Sequence, residues 1–280
     1  MGRGFRSLLA IVVGGLWILA PLPAGAVITC DLSTGATTSC NINGTIYQRD
    51  TSQPVGSGIF NSFVRTGTND PVEQGYNTST RPLTAGNFET QINNSPTFTR
   101  DLLLTEVPIV TIGLIQYREF KLDINQQNSN PLLSLDNVKI FLSNTGGNVA
   151  TDNFGTGLGT QIYSLDGLTD TNGILLNYSF ESGSGQADML LDVPNSLFVG
   201  GTFVYLWSQF GAQQPNSPCS VSLPCNNNDG YEEWAVGTGE NTGPPPVPEP
   251  ATMFLGGTGL VLFGYLARKR LFGGQREAAI

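Results

Sequence analysis

Along the middle of this chain apolar residues alternate with polar ones, and at its two ends they run together without interruption. Phe120, Leu122 and Ile124 alternate with Lys121 and Asp123, and Val138, Ile140 and Leu142 repeat the arrangement after a turn-rich stretch at 126–131. A period of two puts one side of a strand in a core and the other in water. The same reading predicts strands at 41–49, 59–66, 98–105, twice within 106–125, and at 161–165, 174–180, 187–193, 202–210 and 231–236. The segments between them are rich in Gly, Asn, Ser and Thr, and none carries a sustained apolar stripe at helical spacing. The pattern predicts an all-β domain over residues 27–236, a β-sandwich of jelly-roll-like form. A one-sheet or β-helix form is the runner-up, but a solenoid would show a fixed repeat period, and the sequence has none.

The two unbroken runs read differently. Arg3 and Arg6 precede an uncharged stretch at 8–20 and the small residues Ala24, Gly25 and Ala26. That order is a secretory signal peptide over residues 1–26, with signal peptidase cutting after Ala26 to leave Val27 as the new N-terminus. Near the other end, residues 251–267 carry no charge, and at 1.5 Å per residue they reach about 25 Å, enough to cross a bilayer core. No polar face interrupts Met253, Phe254, Leu255, Leu260, Val261, Leu262, Phe263 and Leu266, so a transmembrane helix is expected at 251–267. The basic cluster Arg268, Lys269 and Arg270 would stay on the cytoplasmic side, followed by a cytoplasmic tail at 271–280. A Gly/Pro-rich linker at 237–246 holds the domain off the membrane.

Between linker and apolar run stands the triplet Pro248, Glu249, Pro250, followed by Ala251 and Thr252. Triplet, glycine-interrupted apolar segment and basic cluster together resemble the PEP-CTERM sorting signal of exosortase substrates, over residues 247–270. The resemblance implies a temporary stop in the inner membrane of a Gram-negative-type cell and processing near the triplet by a membrane-embedded, cysteine-dependent exosortase. It also implies delivery to the cell surface or to an exopolysaccharide matrix. Residues 118–143, 188–194, 205–210 and 228–234 are similar to the ectodomain of a recurring class of PEP-CTERM surface proteins, which implies one domain and no enzymatic activity. Glu249 offers a charge on a backbone whose φ is restricted on both sides, suited to an extended docking groove.

Composition narrows the ectodomain's chemistry. The chain carries 13 Lys and Arg against 22 Asp and Glu, and the imbalance is steeper once the basic ends are set aside. An acidic domain does not suit nucleic acid or an anionic membrane surface. Cys30, Cys40, Cys219 and Cys225 are expected to form disulfides in an oxidising exported setting, paired locally because each pair closes a short loop at low entropic cost. A zinc site lacks the usual spacing and any histidine; the sequence contains no histidine, which also removes the Ser-His-Asp and Cys-His triads.

Carboxylate chemistry survives that exclusion. Asp123, Asp136, Asp166, Asp188, Asp192, Glu232 and Glu233 are the candidates for a glycoside-hydrolysing pair, although any acidic sandwich carries as many. The run Asn226-Asn227-Asn228-Asp229-Gly230 suggests an irregular calcium loop, but Cys225 and Val236 occupy the positions where an EF-hand has carboxylates. Trp207 and Trp234 are candidate carbohydrate contacts, and the competing reading is that they pack in the core. The reading that unites these features is an exported, non-enzymatic surface or matrix protein with a structural or adhesive sandwich and no cofactor. Binding of exopolysaccharide is its alternative, and a hydrolase the third.

Overall fold

The computed structural model describes residues 27–51, 60–81, 95–167, 172–183, 185–212, 219 and 224–237. It opens with β1 (Val27–Asp31), an edge strand that alternation does not announce. Where one strand was expected at 41–49 there are two, β2 (Ser39–Ile42) and β3 (Thr45–Arg49). Asn43 and Gly44 take φ of 55° and 82° between them, the positive values that a two-residue hairpin turn demands. Next come β4 (Ser62–Thr66), β5 (Glu73–Tyr76), β6 (Leu102–Leu103) and a 3-10 turn at Leu104–Glu106. A hairpin of β7 (Ile109–Ile112) and β8 (Ile115–Asp123) leads to the twelve-residue β9 (Leu132–Ser143). β10 (Thr160–Ser164), β11 (Asn172–Asn177), β12 (Met189–Pro194), β13 (Phe203–Phe210) and β14 (Glu232–Ala235) follow.

These strands form two sheets. The first has the order β1-β11-β9-β13-β5, with β10 added on β9 and β6 on β13; the second has the order β2-β3-β12-β8-β14-β4, with β7 on β8. Only β1 and β11 pair in parallel; the other described pairings are antiparallel. The chain steps from the second sheet to the first between β8 and β9 and again between β12 and β13, and β12 lies beside β8 as β13 lies beside β9. Two crossings therefore sit side by side. Alternate residues of these strands, among them Phe120, Leu122, Leu191, Ile140 and Leu206, enter one shared core. At one place that core is polar: the hydroxyls of Tyr47 on β3 and Tyr163 on β10 meet at 2.6 Å across the sheets.

The first sheet is covered on its outer side as well. Tyr205 and Trp207 pack there with Tyr76, Phe141, Ala150 and Leu158, while Val204 and Leu206 face the shared core. Burial on both faces explains why residues 203–207 read as nearly continuous apolar sequence. The covering loop needs glycine: Gly155 has φ +84°, and a Cβ there would stand 2.8 Å from the Phe141 ring.

Both disulfides have the expected local pairing. Cys30 bonds Cys40 at 1.97 Å, and Cys219 bonds Cys225 at 2.12 Å. The first joins β1, an edge of one sheet, to β2, an edge of the other, so it closes the domain along one side. Its loop of about ten residues predicts a loss of about 2–3 kcal/mol when both cysteines become serine. Chemical denaturation of the oxidised wild type and of the Cys30→Ser, Cys40→Ser double variant measures it, and equal midpoints would contradict the prediction.

Among the described residues there is no α-helix, and none long and apolar enough to cross a membrane. The expected signal peptide at 1–26, the linker beyond Gly237, the transmembrane segment at 251–267 and the tail at 271–280 lie outside the described residues.

Candidate functional site

Leu122, Met189, Trp234 and Val64 point into the core, so by the period of a strand their neighbours Asp123, Asp188, Glu233 and Arg65 point to the outer face of the second sheet. Register aligns them. Glu233 lies opposite Asp123 on one side and Arg65 on the other, and the backbone N–H of Asp188 donates to the carbonyl of Leu122, which brings Asp188 beside Asp123. Asp50 extends the row, its N–H donating to the carbonyl of Asp188 at 3.2 Å. Four carboxylates and one guanidinium thus form a line across β8, β14 and β4 and the adjoining ends of β3 and β12.

The row is covered. Asp50, Asp123, Asp188 and Glu233 are only 3–7 % exposed. Arg65 pairs with Glu233 and holds its guanidinium 3.4 Å from the centre of the Phe98 ring, with Tyr231 at 5.5 Å. Asp123 accepts the N–H of Gly185 at 2.6 Å, and Asp188 accepts that of Ile124 at 2.8 Å; each has a second oxygen with no partner. Burial pushes the Asp123 carboxyl up to about 7, the nearby Glu233 adding to the rise, and pushes Asp188 well above the ordinary carboxylate range, helped by Asp123, Glu181 and Asp50. Four residues beyond Asp188, on β12, Asp192 is also raised to about 7, by burial and by Glu119, while the Gln48 amide donates to it at 3.0 Å.

The remaining candidate carboxylates are elsewhere. Asp136 accepts the Ser134 hydroxyl at 2.8 Å and the N–H of Ala212 at 2.6 Å. Asp166 accepts the Asn137 amide and the N–H of Asn172. These two belong to the first sheet's side, and the seven candidates do not converge on one cleft. Among the described residues no group of three His, Cys, Asp or Glu gathers as metal ligands do.

The structure buries both indoles proposed as carbohydrate contacts. Trp234 is 0 % exposed, and its Nε1–H donates to Ser208 Oγ on the opposite sheet at 3.1 Å. Trp207 is 2 % exposed, with the Lys139 ammonium 5.1 Å from its ring centre. Stacking on a sugar requires an open ring face, and these two present none. The asparagine loop serves as a turn: the Asn227 amide donates to the carbonyls of Thr68 and Asp70, Asn228 accepts the N–H of Gln127, and Gly230 takes φ +66°.

Sequence reasoning passed over Glu73. It lies on β5 opposite Phe210, faces inward and is 0 % exposed, within hydrogen-bonding reach of the equally buried Glu232 from the other sheet. Burial raises both carboxyls; repulsion from Glu73 raises Glu232 further, while the hydrogen bond from Glu232 and the N–H of Thr68 act to lower Glu73. A lone Glu beginning a short, wholly buried strand leaves no periodic signal to find it by.

The six residues of the expected sorting motif, Pro248, Glu249, Pro250, Arg268, Lys269 and Arg270, lie outside the described residues, as does Ala26, whereas Val27 is the first residue of β1. Comparison with known families bears directly on that motif: the model of the PEP-CTERM protein-sorting motif matches residues 246–270. No curated protein matches the chain, and no solved structure does. The motif marks an exported protein that is handled by an exosortase and held at a membrane, and two disulfides agree with a place outside the cytoplasm.

Proposed function

We infer that this chain, which carries a PEP-CTERM sorting motif, is a cell-surface or extracellular-matrix protein whose β-sandwich, jelly-roll-like in form, has a structural or adhesive role. The family-model match at 246–270 carries this reading. It spans the triplet Pro248, Glu249, Pro250 and ends at Arg270, the last residue of the basic cluster. Signal peptidase would release Val27, exosortase would recognise the triplet, and residues 251–267 would hold the chain in the inner membrane until then. Three features of the domain support a structural role: two sheets sharing one core, disulfides that staple it, and acidic groups that are covered by chain. The burial of Trp207 and Trp234 takes support from the carbohydrate-binding alternative.

Intact mass and fractionation of the native protein test the sorting route. The expected species begins at Val27, lacks the segment after the triplet and is found at the cell surface or in the matrix. Retention of the tail to Ile280 in an inner-membrane species would defeat the processing step. A mass that begins upstream of Val27 would defeat the cleavage site.

A further inference from the structure

Between the two sheets, near the edge where β5 faces β14 and β4, the structure gathers buried oxygen atoms with few donors to satisfy them. Glu73 enters from the first sheet and Glu232 from the second, both 0 % exposed. Both oxygens of Glu73, Oε2 of Glu232, Oε1 of Gln126 and Oγ1 of Thr66 are buried without a well-formed hydrogen bond. They belong to one place. Thr66 is the cross-strand neighbour of Glu232, and its hydroxyl lies against Gly75, where a Cβ would come within 2.4 Å. Gly75 is two residues from Glu73 on the same face of β5, and the Gln126 amide reaches Glu232 Oε1 at 3.0 Å.

The balance of donors and acceptors is one-sided. The described donors are the Gln126 amide on Glu232, the backbone N–H groups of Thr68 and Asn125, and the Glu232 carboxyl when it carries a proton for Glu73; no Lys or Arg figures among the charges acting on either carboxyl. Burying an ionised carboxylate without a cation or a full set of donors is among the most costly arrangements a fold can hold. Two carboxylates carry the charge that one divalent cation neutralises. Carboxylate, amide and hydroxyl oxygens, with no nitrogen or sulfur among them, are a hard donor set. Calcium accepts six to eight such oxygens in irregular geometry, whereas magnesium insists on an octahedron and keeps several waters, for which a buried site has little room.

We propose that Glu73 and Glu232 bind a calcium ion between the two sheets, with Gln126 Oε1 and Thr66 Oγ1 as further ligands. The ion joins β5 to β14 and β4 at the side of the domain away from the Cys30–Cys40 disulfide, so that each lateral edge of the two sheets has its own clamp. This site is distinct from the asparagine loop, whose Asn227 and Asn228 side chains are engaged in the turn itself.

The test uses the purified full chain in detergent, freed of metal with a chelator and then titrated with calcium chloride while heat of binding and thermal unfolding are followed. A saturable heat is expected, with one ion per chain and a rise in Tm of about 5–10 °C at a hundredfold excess over Kd. Glu73→Gln and Glu232→Gln keep the shape of the side chains and should each weaken calcium binding by about tenfold or more. Without calcium these variants should be at least as stable as the wild type, which shows that they fold. Absence of calcium heat and of any Tm shift in the wild type, with Glu232→Gln more stable than wild type throughout, would overturn the proposal and mean that the pair shares a proton. An equal rise with magnesium at the same concentration would overturn the assignment to calcium.

Discussion

Replacing Trp234 with alanine lowers the stability of the two-sheet domain by about 3–5 kcal/mol, the range for deleting a large buried aromatic side chain. Among the described residues Trp234 has the largest volume of the fully buried side chains, and its strand, β14, lies between β8 and β4 in the second sheet. Truncation opens a cavity between two sheets whose backbones are held by ladders on either side, so the walls can relax only in part. It also orphans the Ser208 hydroxyl, which receives the indole N–H across the core. Trp234→Phe separates the two contributions: it fills most of the volume but leaves Ser208 without its donor, and should cost about 1–2 kcal/mol. Denaturant unfolding of the full chain measures both. A loss under about 1 kcal/mol for the alanine variant would show that this end of the core repacks freely.

Stability should fall as pH rises from about 4 to 7, and Asp123→Asn and Asp192→Asn should remove part of that fall. Both carboxyls stand at about 7 in the folded chain against an ordinary value of 3.8, chiefly because burial penalises their charge. Between those two values the folded chain keeps protons that the unfolded chain has released, so unfolding gains free energy with each step of pH. The stabilisation is complete below the ordinary carboxylate value and lost as pH passes through the raised one. Charged neighbours act in known directions: Glu233 raises Asp123 and Arg65 lowers it, while Glu119 raises Asp192. Asparagine can still accept from Gly185 at position 123 and from Gln48 at position 192. Each variant should therefore be more stable than wild type at pH 8 by about 2 kcal/mol, after allowing for solvent screening, and no more stable at pH 4. The difference between wild type and variant is the decisive quantity, because it cancels groups such as Asp152, whose carboxyl is held low by Thr156 and contributes in the opposite direction. A wild-type-minus-variant difference that does not change with pH would contradict the assignment.

Apolar alternation also misleads in one instructive place. Ile109, Ile112 and Ile115 read as strand residues with a buried side, and the strands are there, yet these side chains are 36–54 % exposed and Leu114 at the turn is fully exposed. Among the described residues β7 pairs only with β8, beyond the part of β8 that has β14 beside it, and no second layer covers these side chains. Alternation reports that a segment can be a strand. Whether anything packs on it depends on residues far away in the chain.

Local sequence determined the class of the fold, the local disulfide pairing and the sorting motif, because each is written in short-range terms: a period of two, a spacing of six or ten residues, a triplet before an apolar run and a basic cluster. It underdetermined the strand count, since β1 and β5 are short and carry no clean alternation, and the Asn43-Gly44 turn divides a stretch that reads as one strand. Only the tertiary structure decided that Trp207 and Trp234 are covered, that Asp50, Asp188, Asp123 and Glu233 form one row, and that Glu73 meets Glu232. The reason is the same in each case. Burial and the convergence of charges depend on which strands lie side by side and which sheets face each other, and those pairings join distant parts of the chain, as Ser62 on β4 pairs with Ala235 on β14.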